Sequence, residues 1–168
     1  AAHVREKQGN YEQFRPFSDA LLPYYPGVAA IYLAPGAITS VVAPENRGEL
    51  GLGLNLLTDP LRQTETRMAL QSGQLTLSGP IPLLTGKDGI VGRLPVYTNS
   101  EAGDSRFWGF ISVIIEIDKL LGSTAIARLP QGGYEYKLWR KRPSDGSLQI
   151  IAKSPEFSAL PDVRQRLV

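Results

Sequence analysis

Two neighbouring segments of the sequence decide the fold: Gln71-Ser-Gly-Gln-Leu-Thr-Leu-Ser-Gly-Pro-Ile-Pro-Leu-Leu84 and Gly89-Ile-Val-Gly-Arg-Leu-Pro-Val-Tyr97. The first predicts a helix end, a glycine turn and a strand interrupted by a bulge at Gly79-Pro80, and the second predicts another strand. Glycine lets the backbone of a strand approach a ligand closely. We therefore expect these two strands to form one wall of a small-molecule pocket.

The segments on either side predict a helix and a long strand. Thr58-Asp59-Pro60 predicts the start of a helix that runs to about Gln71 and ends at Gly73, because Thr or Asp caps helices and Pro fits their first turn. The longest apolar β segment, Arg106 to Ile117, has no strict alternation, so we expect a central strand covered on both faces. Asp118 is expected to cap a short helix through Ala127.

The remaining segments predict one N-terminal helix and two hairpins. Val4 to Leu22 carries apolar residues at spacings of three and four, with a break expected near Arg15 because Pro16 follows. The hairpins are Val28 to Leu33 with Ile38 to Val42, and Tyr134 to Lys141 with Leu148 to Lys153. Runs of strands separated by helices predict an α+β domain with a mixed or antiparallel sheet.

Composition excludes several classes of function. The chain has 168 residues, which suits one domain, and its net charge of +2 does not suit a nucleic-acid surface. It has no cysteine, which excludes thiol chemistry and thiolate metal sites. It has one histidine, His3, in the polar N-terminal stretch, so a Ser-His-Asp triad lacks a suitable histidine. The sequence contains no stretch of 18 apolar residues, the length expected of a membrane span.

Two charged sites, Arg93 and the pair of Glu116 and Asp118, each leave two interpretations open. Arg93 lies in an apolar strand pattern, where it either points into a pocket and binds a carboxylate or phosphate, or faces solvent and pairs with a surface acid. Glu116 and Asp118 either act as a carboxylate pair on one strand face, or Asp118 caps the next helix while Glu116 lies at a sheet edge. For this pair we favour the second alternative.

In series, these motifs carry a family resemblance. They are Leu54-Asn-Leu-Leu-Thr-Asp-Pro60, Ser72-Gly73, Leu77-Ser-Gly-Pro80, Gly89-Ile-Val-Gly-Arg-Leu-Pro-Val-Tyr97 and Phe107-Trp-Gly-Phe-Ile-Ser-Val-Ile-Ile-Glu-Ile-Asp-Lys-Leu-Leu121. Together they resemble a CHASE domain, the extracellular sensory module associated with cyclases and histidine kinases. The similarity covers roughly Phe14 to Lys153.

The resemblance implies a single sensor domain over residues 1–168, with its core at about 14–153, excised from a larger membrane-anchored protein. It implies a PAS-like sheet beside an N-terminal helix that forms a homodimer, and a position in the periplasm or outside the cell. Such a domain binds a small molecule and signals by a population shift to a histidine kinase, diguanylate cyclase or phosphodiesterase. It implies no catalysis, cofactor, metal or nucleic acid in this fragment, and membrane contact only through flanking helices.

The predicted ligand-binding residues are Asn55, Leu77, Ser78, Arg93, Leu94, Tyr97, Trp108 and Val113. Asn55 stands where the cytokinin receptors of the family carry a carboxylate, so the resemblance does not extend to a cytokinin ligand. Asn55 either contacts a ligand or bonds its own backbone near the helix start. The alternative to a sensor is a ligand-free dimerisation or protein-interaction module of the same receptor.

Overall fold

The computed structural model describes residues 11–45, 51–83, 86–99, 104–155 and 157. The predicted start of the first helix, His3, Leu84 and the segment after Phe157 lie outside the described residues. The elements are α1 (Phe14–Leu21), β1 (Val28–Pro35), β2 (Val41–Ala43), α2 (Gln63–Ser72), β3 (Thr76–Pro82), β4 (Asp88–Asn99), β5 (Ser105–Glu116), α3 (Ile117–Gly122), β6 (Lys137–Lys141) and β7 (Leu148–Lys153).

The strands form a five-stranded sheet in the order β2-β1-β5-β4-β3 and a separate two-stranded hairpin of β6 and β7. Every described pairing is antiparallel. The predicted α+β fold with a PAS-like sheet and flanking helices is therefore confirmed. The apolar β5 is the central strand, as its sequence predicts, and the predicted bulge in β3 lies between Ser78 and Ile81.

The start of α1 agrees with the position of Pro16, and the start of α2 corrects a prediction. Helix α1 begins at Phe14, so Pro16 is its third residue, in the first turn, where no N–H is needed for the helical ladder. Whether a helix precedes the break expected near Arg15 lies outside the described residues. Helix α2 begins at Gln63 rather than Pro60, because the Asp59 carboxylate accepts hydrogen bonds from the Leu61 N–H and forms a separate turn. The predicted stop is confirmed, since Gly73 has the left-handed φ of 67°.

The prediction for the helix after β5 is also wrong. Helix α3 covers only Ile117–Gly122, and Asp118 lies inside its first turn and does not cap it. A separate 3₁₀ turn at Ala125–Arg128 follows. The extended Glu116 ends β5 and directly precedes the helix, so the carboxylate at the junction is Glu116.

The sheet has two covered faces because its residues alternate. On one face, a buried cluster of Phe14, Leu33, Ala43 and Val96 packs under α1. On the other, Ala34, Ala37, Leu56, Ala69 and Phe110 pack under α2 and the segment before it. None of the helices within the described residues has the length and apolar character needed to cross a membrane.

Candidate functional site

A cavity lies on the α2 face of the sheet. Its floor consists of alternate residues of three neighbouring strands, which the register brings side by side: Arg93 opposite Ser112, and Val91 opposite Ile114. On the other side of β5, Ala30 lies opposite Ile114. The cavity is partly open to solvent, and the centre of a water-sized molecule can occupy about 80 Å³ of it. This space accommodates several water-sized groups, so a ligand that fits it is small.

The segment Gly51 to Arg62 covers the cavity and contributes Leu54, Leu56 and Arg62 to its lining. Backbone hydrogen bonds hold this segment against the β1–β2 turn, with Leu56 N–H donating to the Ala37 carbonyl at 2.9 Å and Thr39 N–H to the Leu54 carbonyl at 3.0 Å. The cover is therefore attached to the sheet at defined points and leaves a space behind them.

Arg93 is the charged residue at the centre of this floor. It is 2% exposed, so the solvent-facing alternative for Arg93 is wrong. Its Nε donates to Ser112 Oγ at 3.3 Å, and its Nη1 donates to Thr66 Oγ1 on α2 at 2.7 Å. Burial, with a smaller contribution from the neighbouring Arg62 cation, lowers the pKa of Arg93 to about 10. The side chain therefore remains a cation at neutral pH.

Within the described residues, no carboxylate forms an ion pair with Arg93. The nearby acids have other partners: Asp59 Oδ1 lies 2.9 Å from Arg62 Nη1, and Glu65 pairs with Arg140 of β6. A buried cation that is held only by two hydroxyl groups is costly unless a counter-ion arrives. Asp59 and Glu65 favour the charged form of Arg93 from a distance, but no carboxylate of the described residues contacts its guanidinium group.

Glu116 lines the same cavity, a position that was not predicted from the sequence. It is 1% exposed and ends the central strand β5, so its predicted position at a sheet edge is wrong. Its carboxylate lies 3.0 Å from Lys119 Nζ and 3.5 Å from Lys87 Nζ. The sequence did contain a signal for a buried and paired Glu116: the residue follows a long apolar run and precedes Lys119 by three positions. The strand order that buries it was not visible in the sequence.

Three of the predicted ligand-binding residues lie on the opposite face of the sheet. Leu94 pairs with Ile111, which packs against the core under α1. Trp108 packs against the same core, with its ring 6.1 Å from that of Tyr11. Val113 alternates with the cavity residues Ser112 and Ile114 on β5 and points away from them. The structure brings none of the three to the cavity.

Asn55 belongs to the cavity cover and Tyr97 lies against α2, and neither residue lines the cavity. The Tyr97 hydroxyl donates to the Leu70 carbonyl of α2 at 3.1 Å, and its ring meets Phe107 edge-on at 5.9 Å. Asn55 Oδ1 accepts a hydrogen bond from the Leu57 N–H at 3.0 Å. This is the local backbone bond that was expected from the sequence as the alternative to a ligand contact. A ligand contact by either residue stays a prediction.

Ser78 and Leu77 belong to β3 at the edge of the sheet. Ser78 is buried opposite Val91, on the cavity face, and its Oγ has no hydrogen-bond partner among the described residues. Leu77 is more than half exposed, and its carbonyl accepts a hydrogen bond from Arg140. Of the eight predicted residues, the structure therefore places Arg93 in the cavity lining and Ser78 on the same face.

The chemistry available at the cavity is binding chemistry. Its polar side chains are hydroxyls, two arginines and one carboxylate that is paired with lysines. In the part of the chain that the structure describes, no group of three or more metal-ligating side chains comes together. A charged, directional anchor in a mostly apolar cavity is typical of a ligand site.

A solved structure has the same fold. It is described as an extracellular ligand binding receptor from Desulfohalobium retbaense DSM5692, and it matches with a TM-score of 0.61 and 18% sequence identity. The match covers 83% of this chain and 25% of that chain, so this chain spans a quarter of that receptor's length. At this identity the likeness concerns the fold alone.

Comparison of sequences gives the family. No curated protein sequence matches the chain significantly. The profile of the CHASE domain matches residues 37–138, which include β2 to β5, α2 and most of the cavity lining. This match covers more than half of the chain. The chain therefore belongs to the CHASE family of extracellular sensory domains.

Proposed function

We propose that this domain is the small-molecule-sensing input domain of a transmembrane signalling receptor, and that the ligand binds in the cavity between the sheet and the segment Gly51 to Arg62. The observation that carries the proposal is the buried Arg93 cation, which faces an apolar cavity without a carboxylate partner among the described residues. Family membership supports a sensory role. The printed description of the structurally similar receptor, which says that it binds a ligand, gives further support.

The proposed mechanism is a population shift. A ligand in the cavity stabilises the conformation in which the distance between the sheet and the cover suits the ligand. The ligand shifts the equilibrium between this conformation and the ligand-free one by the difference in its affinity for the two. A difference of about 1–3 kcal/mol is typical of such coupling. Helix α2 carries Thr66 at the cavity and Glu65 at the β6–β7 hairpin, so a displacement of α2 reaches both.

The receptor context is part of the same proposal. The domain lies in the periplasm or outside the cell, is anchored through flanking membrane helices, and controls a histidine kinase, diguanylate cyclase or phosphodiesterase. The N-terminal helix contributes to a homodimer. The family assignment supports these statements, since CHASE domains are sensory and extracellular.

Thermal unfolding against a broad metabolite library tests the sensor proposal. A compound at 100 times its dissociation constant adds about 2.7 kcal/mol to the free energy of unfolding, which raises the midpoint by roughly 5–11 °C for a domain of this size. Ala30→Leu fills the cavity from β1 and should abolish the shift. Ala125→Leu, at an exposed alanine in a 3₁₀ turn, should retain it. Equal shifts in both variants would contradict binding in the cavity.

One observation favours the second candidate, a dimerisation or protein-interaction module. Tyr24 and Tyr25, which follow α1, are 79% and 59% exposed. Adjacent exposed aromatic rings are typical of protein interfaces. Sedimentation of the wild type and of a Tyr24→Ser/Tyr25→Ser variant tests this candidate. A dimer that the double substitution dissociates, together with no ligand from the library, would favour it over the sensor.

A further inference from the structure

We infer that the ligand is a small organic monocarboxylate with an apolar body, whose carboxylate binds the guanidinium group of Arg93. This inference rests on the proposed function and adds the chemical class of the ligand. It follows from three properties of the cavity: the donors that Arg93 leaves open, the charge that the cavity lacks and the apolar surface beyond the cation.

The open donors of Arg93 are the first property. An arginine has five N–H donors in one plane. Ser112 and Thr66 each accept one, which leaves three donors, one on Nη1 and two on Nη2, without an acceptor among the described residues. The two hydroxyl groups hold the plane of the guanidinium from the sheet and from α2. An orientated pair of neighbouring N–H groups matches the two oxygens of a carboxylate.

The charge balance is the second property. Asp59 pairs with Arg62, and Glu116 lies against two half-exposed lysines. Among the described residues, Arg93 is therefore the buried charge of the cavity floor that has no contacting counter-ion. One carboxylate supplies the single negative charge that this cation needs. A neutral ligand would leave the buried cation without a counter-ion, which is the costly arrangement. A second carboxylate on a short ligand would lie against the apolar side chains next to Arg93, without a partner of its own.

The apolar surface beyond Arg93 is the third property. Along β5 the next cavity residue is Ile114, with Val91 and Ala30 beside it and Leu54 and Leu56 above. Glu116 follows at the far end, roughly 13 Å from Ser112 at the rise of an extended strand. The body of the ligand beside these side chains is therefore aliphatic or aromatic.

Titration calorimetry of the 168-residue chain with matched compounds tests the class. The probes are butyrate, hexanoate and benzoate, their amides butyramide, hexanamide and benzamide, and the dicarboxylates succinate and adipate. We expect at least one monocarboxylate to bind, and its amide to bind about 10- to 100-fold more weakly because the charged hydrogen bonds are lost. The dicarboxylate of similar length should also bind more weakly. These comparisons use the wild type and need no variant to fold.

Substitutions then assign the effect to Arg93. Arg93→Met should abolish binding of the monocarboxylate, and Arg93→Lys, which keeps the charge without the planar pair of donors, should retain part of it. Arg106→Met removes an exposed arginine of β5 outside the cavity and should bind as the wild type does. Circular dichroism confirms that each variant is folded.

The two proposals fail in different ways. Equal affinity for a carboxylate and its amide, or unchanged binding in Arg93→Met, would overturn the carboxylate inference. If only neutral or cationic compounds of the wider library bind, and Ala30→Leu abolishes that binding, the carboxylate inference is wrong and the sensor proposal stands. If no compound of any class binds at millimolar concentrations, both are wrong.

Discussion

Arg93 Nη1 donates a hydrogen bond of 2.7 Å to Thr66 Oγ1, and the Thr66 hydroxyl in turn donates to the Arg62 carbonyl at 2.7 Å. The cation of the cavity floor is therefore joined directly to α2, the helix that follows the cavity cover. A ligand that binds Arg93 acts on the same group that holds α2 against the sheet. This contact connects binding with the position of a secondary-structure element.

The first prediction concerns the acceptor in this contact. Thr66→Val keeps the shape of the buried side chain but removes the acceptor, so one more donor of Arg93 is left without a partner. We expect the free energy of unfolding in urea to fall by about 1–3 kcal/mol. Thr64→Val, at an exposed position of the same helix, should change it by less than about 0.5 kcal/mol. Equal effects of the two substitutions would contradict the role of the Thr66–Arg93 bond.

The second prediction is that Arg93 lowers the stability of the free protein. Arg93→Met puts an apolar side chain of similar length in place of a buried cation that no carboxylate of the described residues contacts, so we expect stability to be unchanged or raised by about 1–3 kcal/mol. Ligand binding should be lost in the same variant. Urea unfolding of the ligand-free protein gives the value. A fall of more than about 2 kcal/mol would mean that Arg93 is a structural residue and not a binding residue held at a cost.

A pH dependence follows from the same residue. Burial lowers the pKa of Arg93 to about 10, well below the ordinary pKa of an arginine, so between these two values the unfolded chain binds the proton more tightly than the folded chain does. The free energy of unfolding of the wild type should therefore rise with pH relative to that of Arg93→Met in this window, and parallel curves below it are expected. A difference between the two proteins that stays constant up to pH 12 would contradict the lowered pKa.

The fourth prediction concerns the ion pair of Glu65 on α2 with Arg140 on β6, both of which are largely buried. A double-mutant cycle with Glu65→Gln and Arg140→Gln should give a coupling energy of about 1 kcal/mol, since each single change leaves the other charge without its partner. Arg140 also donates a hydrogen bond to the Leu77 carbonyl, and the contribution of that bond to stability cancels in the coupling energy. A coupling energy near zero would show that α2 and the hairpin are not linked through this pair.

The fifth prediction concerns a close approach of two strands. A Cβ at Gly109 of β5 would lie 2.8 Å from Pro35 Cα and would also clash with the Ala34 carbonyl oxygen. Because both neighbours are backbone atoms of β1, Gly109→Ala should lower the free energy of unfolding by about 1–3 kcal/mol. Gly122→Ala, where no described atom lies within 4 Å of the added methyl, should be neutral or slightly stabilising. Similar losses in both variants would contradict the steric cause.

The sequence predicted those elements whose cause is local. Gly73 ends α2 because it has no side chain to oppose a left-handed φ, and the apolar run before Glu116 marks a strand covered on both faces. The start of α2 was missed because Asp59 bonds to nearby groups in two ways, and only the folded chain selects between a helix cap and a separate turn.

The candidate site was predicted in part, for a reason of register. Arg93 was found because a single charge in an apolar strand is unusual. Leu94 and Val113 are neighbours of cavity residues along their strands, and one step along a strand moves a side chain to the other face. Which face carries the cavity depends on where α1 and α2 pack, and that is a tertiary property. The same property buries Glu116.

The most direct test of the central claim is a methyl-resolved NMR titration of the chain with a compound that raises its unfolding temperature. If the ligand binds between the sheet and the segment Gly51 to Arg62, the methyl groups of Val91, Ile114 and Leu56 should shift in a saturable manner, and those of Val41 on the opposite side should not. Saturable shifts confined to the surface around Tyr24, with the cavity methyl groups unchanged, would contradict a sensing site in this cavity.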